Sequence, residues 1–166
     1  MSTTQPALAG NSMDASAVVL KIDSLNLMFP QSDIRALESA SDVDANSPGQ
    51  ESTGWIGYLR QRWPVYCLSD QLGLLDLVPP SRRTCALLAI ADGYIGILCD
   101  DVSILKQVAG KRHAVPPAMK RADSPVLELL PFGDKLLCVS RPASLSAHIG
   151  QLVRQASLPG ELPCPA

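Results

Sequence analysis

Two adjacent aspartates, Asp100 and Asp101, are the first residues whose type and spacing could support catalysis. Paired carboxylates can act as general acid and base, or can hold a divalent cation. A cation site usually draws several ligands at loop spacings, and no third carboxylate or histidine lies nearby in the sequence. We therefore expect one aspartate to end a strand and the other to face solvent. An enzyme that uses either carboxylate is the weaker alternative.

The histidines and glycines give no stronger sign of chemistry. His113 and His148 are far apart, and neither is flanked by a motif that activates a nucleophile, so we expect both to face solvent. No glycine-rich phosphate-binding motif occurs. The sequence therefore predicts no catalytic residue and no cofactor, and it favours a protein that is not an enzyme.

The cysteines indicate packing and not metal binding. No CxxC pair occurs, so neither a disulfide framework nor a zinc site is predicted. Free cysteine in an apolar run behaves as a small core residue. This description fits four of the five cysteines, which are Cys67, Cys85, Cys99 and Cys138.

Charge and composition exclude several classes of partner. The 166 residues carry 14 basic and 16 acidic side chains, so there is no net positive charge for nucleic acid to neutralise. The aromatic fraction of 4% leaves few platforms for base stacking. The longest apolar run, 85–99, is broken by Asp92-Gly93 and is shorter than the roughly 20 residues of a spanning helix. We therefore expect a cytoplasmic protein without membrane insertion.

An aromatic residue beside two arginines is the most informative surface feature. Trp63 follows Arg60 and Arg62 at a predicted turn, and this composition is typical of the anchors of a protein interface. Burial of Trp63 as a core anchor is an equally good interpretation. By contrast, the basic residues of 106–121 favour a solvated loop over an acidic partner.

These residues must be positioned by strands, because hairpin signals dominate the sequence. Two-residue turns at Asp23-Ser24, Asp92-Gly93 and Gly133-Asp134 each separate two apolar segments. A further strand pair surrounds the basic turn 60–62. The segments 85–91 and 94–99 are apolar at successive positions, which indicates that both faces are covered. The pattern predicts a mainly antiparallel, barrel-like protein.

The remaining segments complete the expected organisation. We predict a flexible tail at 1–16, a single domain at 17–155 with a mobile loop at about 39–53, and a flexible tail at 156–166. Segment 30–38 fits either a short helix or a strand.

Two helical features are predicted from serine caps. Segment 68–77 predicts a short helical turn capped by Ser69. Ser144 is predicted to cap one amphipathic helix, with Leu145 and Ile149 on its apolar side.

The order of these segments resembles the CheW-like family, the adaptor domains of bacterial chemosensory arrays. The first strand pair and the Glu38 segment match the family's opening, and 54–60 with 64–68 resemble its Asn-Leu-Arg-Gly stretch and the following proline strand. Segment 96–102 resembles its Gly-x-x-Val-Asp-x-Val pattern, and 136–145 resembles its closing strand. The likeness spans about residues 17–155. Asn-Leu-Arg-Gly is reduced to Tyr58-Leu-Arg-Gln, and the aspartate after the proline strand is absent.

The resemblance implies a mainly β fold of two small, packed five-stranded barrels with a C-terminal helix. It implies an adaptor that bridges chemoreceptor-like and histidine-kinase-like partners, without a cofactor. The expected partner-binding residues are Tyr58, Leu59, Arg60, Arg62 and Trp63. The alternatives are a divergent member acting in type IV pilus twitching or another specialised pathway, and a barrel that binds a small molecule in an internal cavity. The sequence does not indicate an oligomeric state.

Overall fold

The computed structural model describes residues 16–46, 52–108, 110–120 and 124–157, which form strands and one C-terminal α-helix. None of the helices in these ranges is long and apolar enough to cross a membrane. The strands are β1 (Ala17–Ile22), β2 (Leu25–Pro30), β3 (Ile34–Ser39), β4 (Gly54–Tyr58), β5 (Gln61–Cys67), β6 (Thr84–Ile90), β7 (Gly93–Cys99), β8 (Asp101–Leu105), β9 (His113–Ala114), β10 (Glu128–Phe132) and β11 (Lys135–Val139). The helix is α1 (Pro142–Ser157).

The strands form two sheets, which confirms the mainly β prediction. One sheet has the order β3-β6-β7-β5-β4 and five strands, as expected. The other has six strands, in the order β8-β1-β2-β11-β10-β9, because the short β9 adds to β10. This sheet is a curled half-barrel, because its two edge strands, β8 and β9, do not pair with each other to close it. The mainly β fold of two packed sheets with a C-terminal helix is as predicted, and the predicted count of five strands is correct for one sheet and one strand short for the other.

Two of the predicted turns lie where the sequence places them. Asp23-Ser24 joins β1 to β2, with Asp23 in the left-handed backbone region at φ 53°. Gly133-Asp134 joins β10 to β11. Small polar residues and glycine are favoured at these positions because they accept the backbone angles of tight turns.

Two other turns are shifted by a residue. The turn between β6 and β7 is Ala91-Asp92 and not Asp92-Gly93, because Gly93 already pairs with Ile90. The basic turn predicted at 60–62 is wrong in its position. Tyr58 pairs with Gln61, so the two-residue turn is Leu59-Arg60 and Arg62 lies within β5.

One apolar core joins the two sheets and the helix. Alternate residues of β1 and β2, such as Leu20 and Phe29, pack against Leu88 and Ile97 of the five-stranded sheet and against Leu145 of α1. The opposite faces of both sheets are covered as well. Strands buried on both sides explain why the apolar residues run without alternation. The prediction of covered faces for β6 and β7 is confirmed.

The helix and the serine-capped loop differ from their predictions. The helix begins at Pro142 and not after Ser144, and the Leu145 N–H donates to the Arg141 carbonyl at 3.0 Å. Proline suits the first helical position because its missing N–H has no partner there. Segment 68–77 forms a turn and not a helix, although Ser69 Oγ does accept the Gly73 N–H at 3.1 Å.

The segments that the sequence left open or polar are partly ordered. Segment 30–38 contains a 3-10 turn, Gln31–Asp33, followed by β3, so both interpretations hold in succession. Within the loop expected at 39–53, Ser39 ends β3 and Asp44 bridges Trp55. Helix α1 runs two residues beyond the expected domain end at 155. Residues 1–15, 47–51 and 158–166, which contain most of the predicted mobile segments, lie outside the described residues.

Candidate functional site

The tip of the β4–β5 hairpin carries two residues in an unfavourable backbone conformation. Leu59 and Arg60 have φ values of 51° and 63°, the left-handed region that both central residues of a type I′ turn occupy. Asparagine and glycine accept this region readily, whereas other residues lose about 1–2 kcal/mol each. Leu59 is also 65% exposed. Backbone preference therefore does not explain why leucine and arginine occupy the tip, and burial does not explain the apolar side chain of Leu59.

Three aromatic rings support the tip from below. The rings of Tyr58 and Trp63 each meet the ring of Tyr94 edge to face, with centroids 5.1 Å apart in both pairs. Trp63 Nε1 donates to the Tyr58 carbonyl at 2.9 Å, which ties β5 back to β4. Such pairs contribute about 0.5–1.5 kcal/mol beyond the area that they bury. The hairpin end is therefore a rigid platform.

Gly93 makes room for this platform. A Cβ at Gly93 would lie 2.2 Å from Cζ3 of Trp63, and φ at Gly93 is +140°, so a side chain is excluded on both grounds. Trp63 is half-buried on the glycine. Trp63 therefore agrees in part with both interpretations. Its ring packs on Gly93 as a core anchor would, and the exposed remainder is available as an interface anchor.

The two arginines of the hairpin differ in their surroundings. Arg62 Nη2 lies 3.4 Å from Asp44 Oδ2, and its guanidinium lies 5.4 Å from the centre of the Trp55 ring. Arg60 is exposed and makes no ion pair with any described residue. Arg60 is therefore the less engaged of the two cations, although the Arg62 side chain is also 56% exposed.

The aromatic platform continues into an open groove. The groove, of about 310 Å³, lies between the β5–β7 strands and helix α1. Trp63, Tyr66 and Tyr94 line the strand side, and Ile149 and Gly150 line the helix side. All five predicted residues lie on β4, β5 and the turn between them. The helix wall is a component that the sequence did not place near them.

A second polar site, which the sequence did not predict, lies between the sheets. The Arg82 side chain is fully buried. Its guanidinium donates to Asp23 Oδ1 and Oδ2 at 3.0 and 2.9 Å, to Asp100 Oδ1 at 2.5 Å and to the Leu68 carbonyl at 3.0 Å. Asp100 Oδ2 accepts the Asp23 N–H at 2.7 Å. The cluster fastens the β1–β2 turn of one sheet to the end of β7 in the other.

This cluster decides the role of the two adjacent aspartates. The hydrogen bond from Arg82 lowers the pKa of Asp23. Burial opposes ionisation of Asp100, but hydrogen bonds from the Asp23 N–H and Arg82 outweigh it and lower its pKa too. Asp101 Oδ1 accepts its neighbour's N–H, that of Val102, at 2.9 Å. Both carboxylates therefore accept hydrogen bonds from groups of the fold. No motif marks Arg82, because its partners lie 59 and 18 residues away.

The histidines and cysteines lie apart from any reactive grouping. His113 is exposed as expected. His148 corrects the prediction, because it is half-buried and its Nε2 lies 2.7 Å from the Leu72 carbonyl. Burial raises the pKa of Cys85 and Cys99 to about 12, which makes these thiols unreactive. The described part of the chain contains no group of three or more potential metal ligands.

The half-barrel interior is filled by side chains. Val19, Met28, Leu130 and Leu137 pack across its concave face. The hollows at its two ends measure about 110 and 260 Å³. Small-molecule sites are typically about 300–1,000 Å³ and enclosed, so neither hollow has the size that a ligand-binding barrel needs.

The arrangement of the two sheets and the helix is similar to that of a known scaffold. The crystal structure of the scaffolding protein TtCheW from Thermoanaerobacter tengcongensis matches this chain with a TM-score of 0.64 and 16% sequence identity. The match covers 80% of this chain and 92% of that chain. No family model and no curated protein matches the sequence. The protein therefore has a CheW-like fold with a highly divergent sequence, as the segment order predicted.

Proposed function

We propose that this protein is a non-enzymatic, cytoplasmic adaptor of a chemotaxis-like signalling system, and that it bridges a receptor-like and a histidine-kinase-like partner. The CheW-like fold supports the class of function, since the similar protein TtCheW is a scaffolding protein. An adaptor makes or breaks no bond and acts by raising the effective concentration of one partner beside another. The filled half-barrel and the structurally engaged aspartates favour this function over ligand storage or catalysis.

The observation that carries the proposal is the strained, exposed tip on a rigid aromatic platform. Leu59 and Arg60 retain an apolar and a cationic side chain where asparagine and glycine would give the more stable turn. Trp63 and Arg62 flank them on β5, and Tyr58 closes the hairpin. Arginine and aromatic residues at the centre of a well-packed patch are typical of the residues that dominate binding energy. We assign these five residues to the contact with one partner.

The test is a binding measurement with purified partners from the same genome. The immobilised chain is presented with the cytoplasmic tip of each encoded chemoreceptor and with the regulatory domain of each encoded chemosensory histidine kinase. We expect at least one receptor and one kinase to bind. Arg60→Glu should lower the affinity for the partner that contacts the hairpin at least tenfold, because an arginine that becomes buried at the centre of an interface contributes about 2 kcal/mol or more.

The matched control is Lys111→Glu, which reverses an exposed charge in the β8–β9 connection of the other sheet. It should leave binding unchanged. Loss of binding in both variants would indicate general electrostatic steering and would remove the assignment to the hairpin. If no receptor and no kinase binds the wild-type chain, the adaptor function itself is wrong. Binding only to proteins of a type IV pilus system would redirect the same adaptor to that pathway.

A further inference from the structure

Strand β8 is an unprotected edge of the six-stranded sheet. It pairs with β1 on one side, and no strand formed by the described residues lies on the other. Natural edge strands are usually blocked by proline, lysine, a bulge or a covering loop. The sequence of β8, Asp-Val-Ser-Ile-Leu, contains no proline and a single charged residue, Asp101, at its first position, and Ile104 is 55% exposed. Within the described ranges no strand occupies this edge, so a further strand could pair with it.

The register determines which backbone groups point outward from this edge. Ile22 and Leu25 close the two-residue β1–β2 hairpin, so the peptide groups of Ile22 and of every second residue before it face β2. Those of Lys21 and Val19 face β8, where they meet Asp101 and Ser103. The peptide groups of the intervening β8 residues, Val102 and Ile104, therefore point away from the sheet.

The hydrogen bonds agree with this orientation. The Val102 N–H reaches no strand and is accepted by the side chain of Asp101 at 2.9 Å. Outside the β1–β8 ladder, the Ile104 N–H has no hydrogen-bond partner among the described residues. The outward edge thus offers two peptide groups at the spacing of an antiparallel ladder, with an apolar side chain on each.

We propose that two copies of this chain pair through antiparallel β8 strands about a two-fold axis at Ser103. In this register Val102 faces Ile104 of the second copy and Ile104 faces Val102 of the second copy. Each of these pairs exchanges two peptide hydrogen bonds, and the two Ser103 residues form the intervening non-bonded pair. Asp101 releases the Val102 N–H, so one hydrogen bond is exchanged for another.

Self-complementarity is the reason for choosing a second copy as the occupant. The two outward residues lie symmetrically about Ser103, so the two-fold places an apolar residue opposite an apolar residue on both sides. Burial of the half-exposed Ile104 against Val102 contributes to the pairing. The surface lies on the opposite sheet from the β4–β5 hairpin. The inference is therefore independent of the adaptor function.

Sedimentation equilibrium tests the pairing. The mass should rise with concentration from the 17.7 kDa of one chain toward twice that value. Ile104→Pro removes an outward N–H without removing a bond to β1, and Ile104→Lys places a charge opposite the apolar Val102 of the second copy on both sides of the axis. Both variants should stay monomeric. Leu136→Lys, which alters an exposed leucine within the same sheet, should still dimerise.

Two outcomes contradict the proposal. One is a wild-type chain that stays monomeric up to about 0.5 mM, where even a weak dimer with sub-millimolar affinity is detected. The other is a dimer that Ile104→Lys leaves intact. Circular dichroism identifies any variant that fails to fold, and the second Ile104 variant then carries the test.

Disulfide cross-linking tests the register itself. With Cys164 replaced by serine, Ser103→Cys should form a covalent dimer on mild oxidation, because the Cα atoms of a non-bonded pair lie about 4.5 Å apart. Val102→Cys is the control, since its two copies lie diagonally at about 7–8 Å. Cross-linking of Val102→Cys but not of Ser103→Cys would overturn the two-fold at Ser103.

Discussion

Two arginine sites of this protein, Arg82 between the sheets and Arg60 at the hairpin tip, have opposite surroundings. Arg82 is fully buried, and its terminal nitrogens are held by two carboxylates and a carbonyl. Arg60 is exposed on a left-handed turn without an ion pair to any described residue. The first site is committed to the fold, with only the Nε of Arg82 left without a hydrogen-bond partner, and the second has no role in the fold that its geometry explains.

The difference separates two uses of similar residues. A buried charge needs all of its partners, and removal of one leaves the others desolvated, so such a cluster is tied to stability. An exposed charge contributes little to stability, and its value lies in what it contacts from outside. We therefore expect substitutions at Arg82 to destabilise the protein. Substitutions at Leu59 and Arg60 should spare the fold and weaken binding.

The largest expected effect is at the buried site. Arg82→Ala removes the partner of Asp23 and Asp100 and leaves the Leu68 carbonyl without a donor. We expect the free energy of unfolding to fall by about 3 kcal/mol, the lower end for a broken buried ion pair, because Asp23 is partly exposed. Urea unfolding followed by circular dichroism measures it.

The neighbouring Arg83 provides the matched control, because it is exposed and makes no ion pair with any described residue. Arg83→Ala should change the free energy of unfolding by less than about 0.5 kcal/mol. If Arg82→Ala lowers the free energy of unfolding no more than Arg83→Ala does, the sheets are held together by packing and not by the cluster.

The next effect concerns the platform that supports the exposed site. Gly93→Ala forces a Cβ against the Trp63 ring at a positive φ, so we expect a loss of about 1–3 kcal/mol and a shifted tryptophan fluorescence. Gly57→Ala is the control, since a Cβ there has nothing within 4 Å. If Gly93→Ala is as stable as the wild type, the ring moves freely and the platform is not rigid.

Local signals in the sequence were sufficient for much of the fold. Turn residues such as Asp23 and Gly133 fix their hairpins within a few residues, and continuous apolar strands indicate burial on both sides. The parallel pairings of β5 with β7 and of β2 with β11 were not predictable. They depend on how distant hairpins pack together, and no local periodicity records that choice.

The candidate site was predictable to the same extent. The hairpin residues lie close together in the sequence, so composition was enough to single out Arg60 and Trp63 as members of one candidate site. The precise turn was missed, because nothing in the residue types shows that Leu59 and Arg60 accept left-handed angles. Arg82 was missed entirely, since its role exists only when Asp23 and Asp100 are brought together by the fold.

Acid should weaken the buried site selectively. The pKa values of Asp23 and Asp100 in the folded protein lie below their ordinary value of 3.8. Their contribution to stability is therefore fully present above that value, and it is lost as the pH falls through the lowered folded pKa values. The difference in unfolding free energy between wild type and Arg82→Ala should shrink from neutral pH to about pH 2. A difference that is constant with pH would contradict the assignment.

The smallest expected change in stability is at the tip, and it has the opposite sign. Replacing Leu59 by Asn and Arg60 by Gly gives the turn its preferred type I′ residues. Because glycine loses more backbone entropy on folding, which offsets part of the relieved strain, we expect the double variant to be more stable by about 1 kcal/mol. Its partner binding should fall because the apolar and cationic side chains are gone. A gain in stability together with a loss of binding would show that the strained residues are retained for contact. Unchanged binding would remove the tip from the interface, whatever the turn does to the fold.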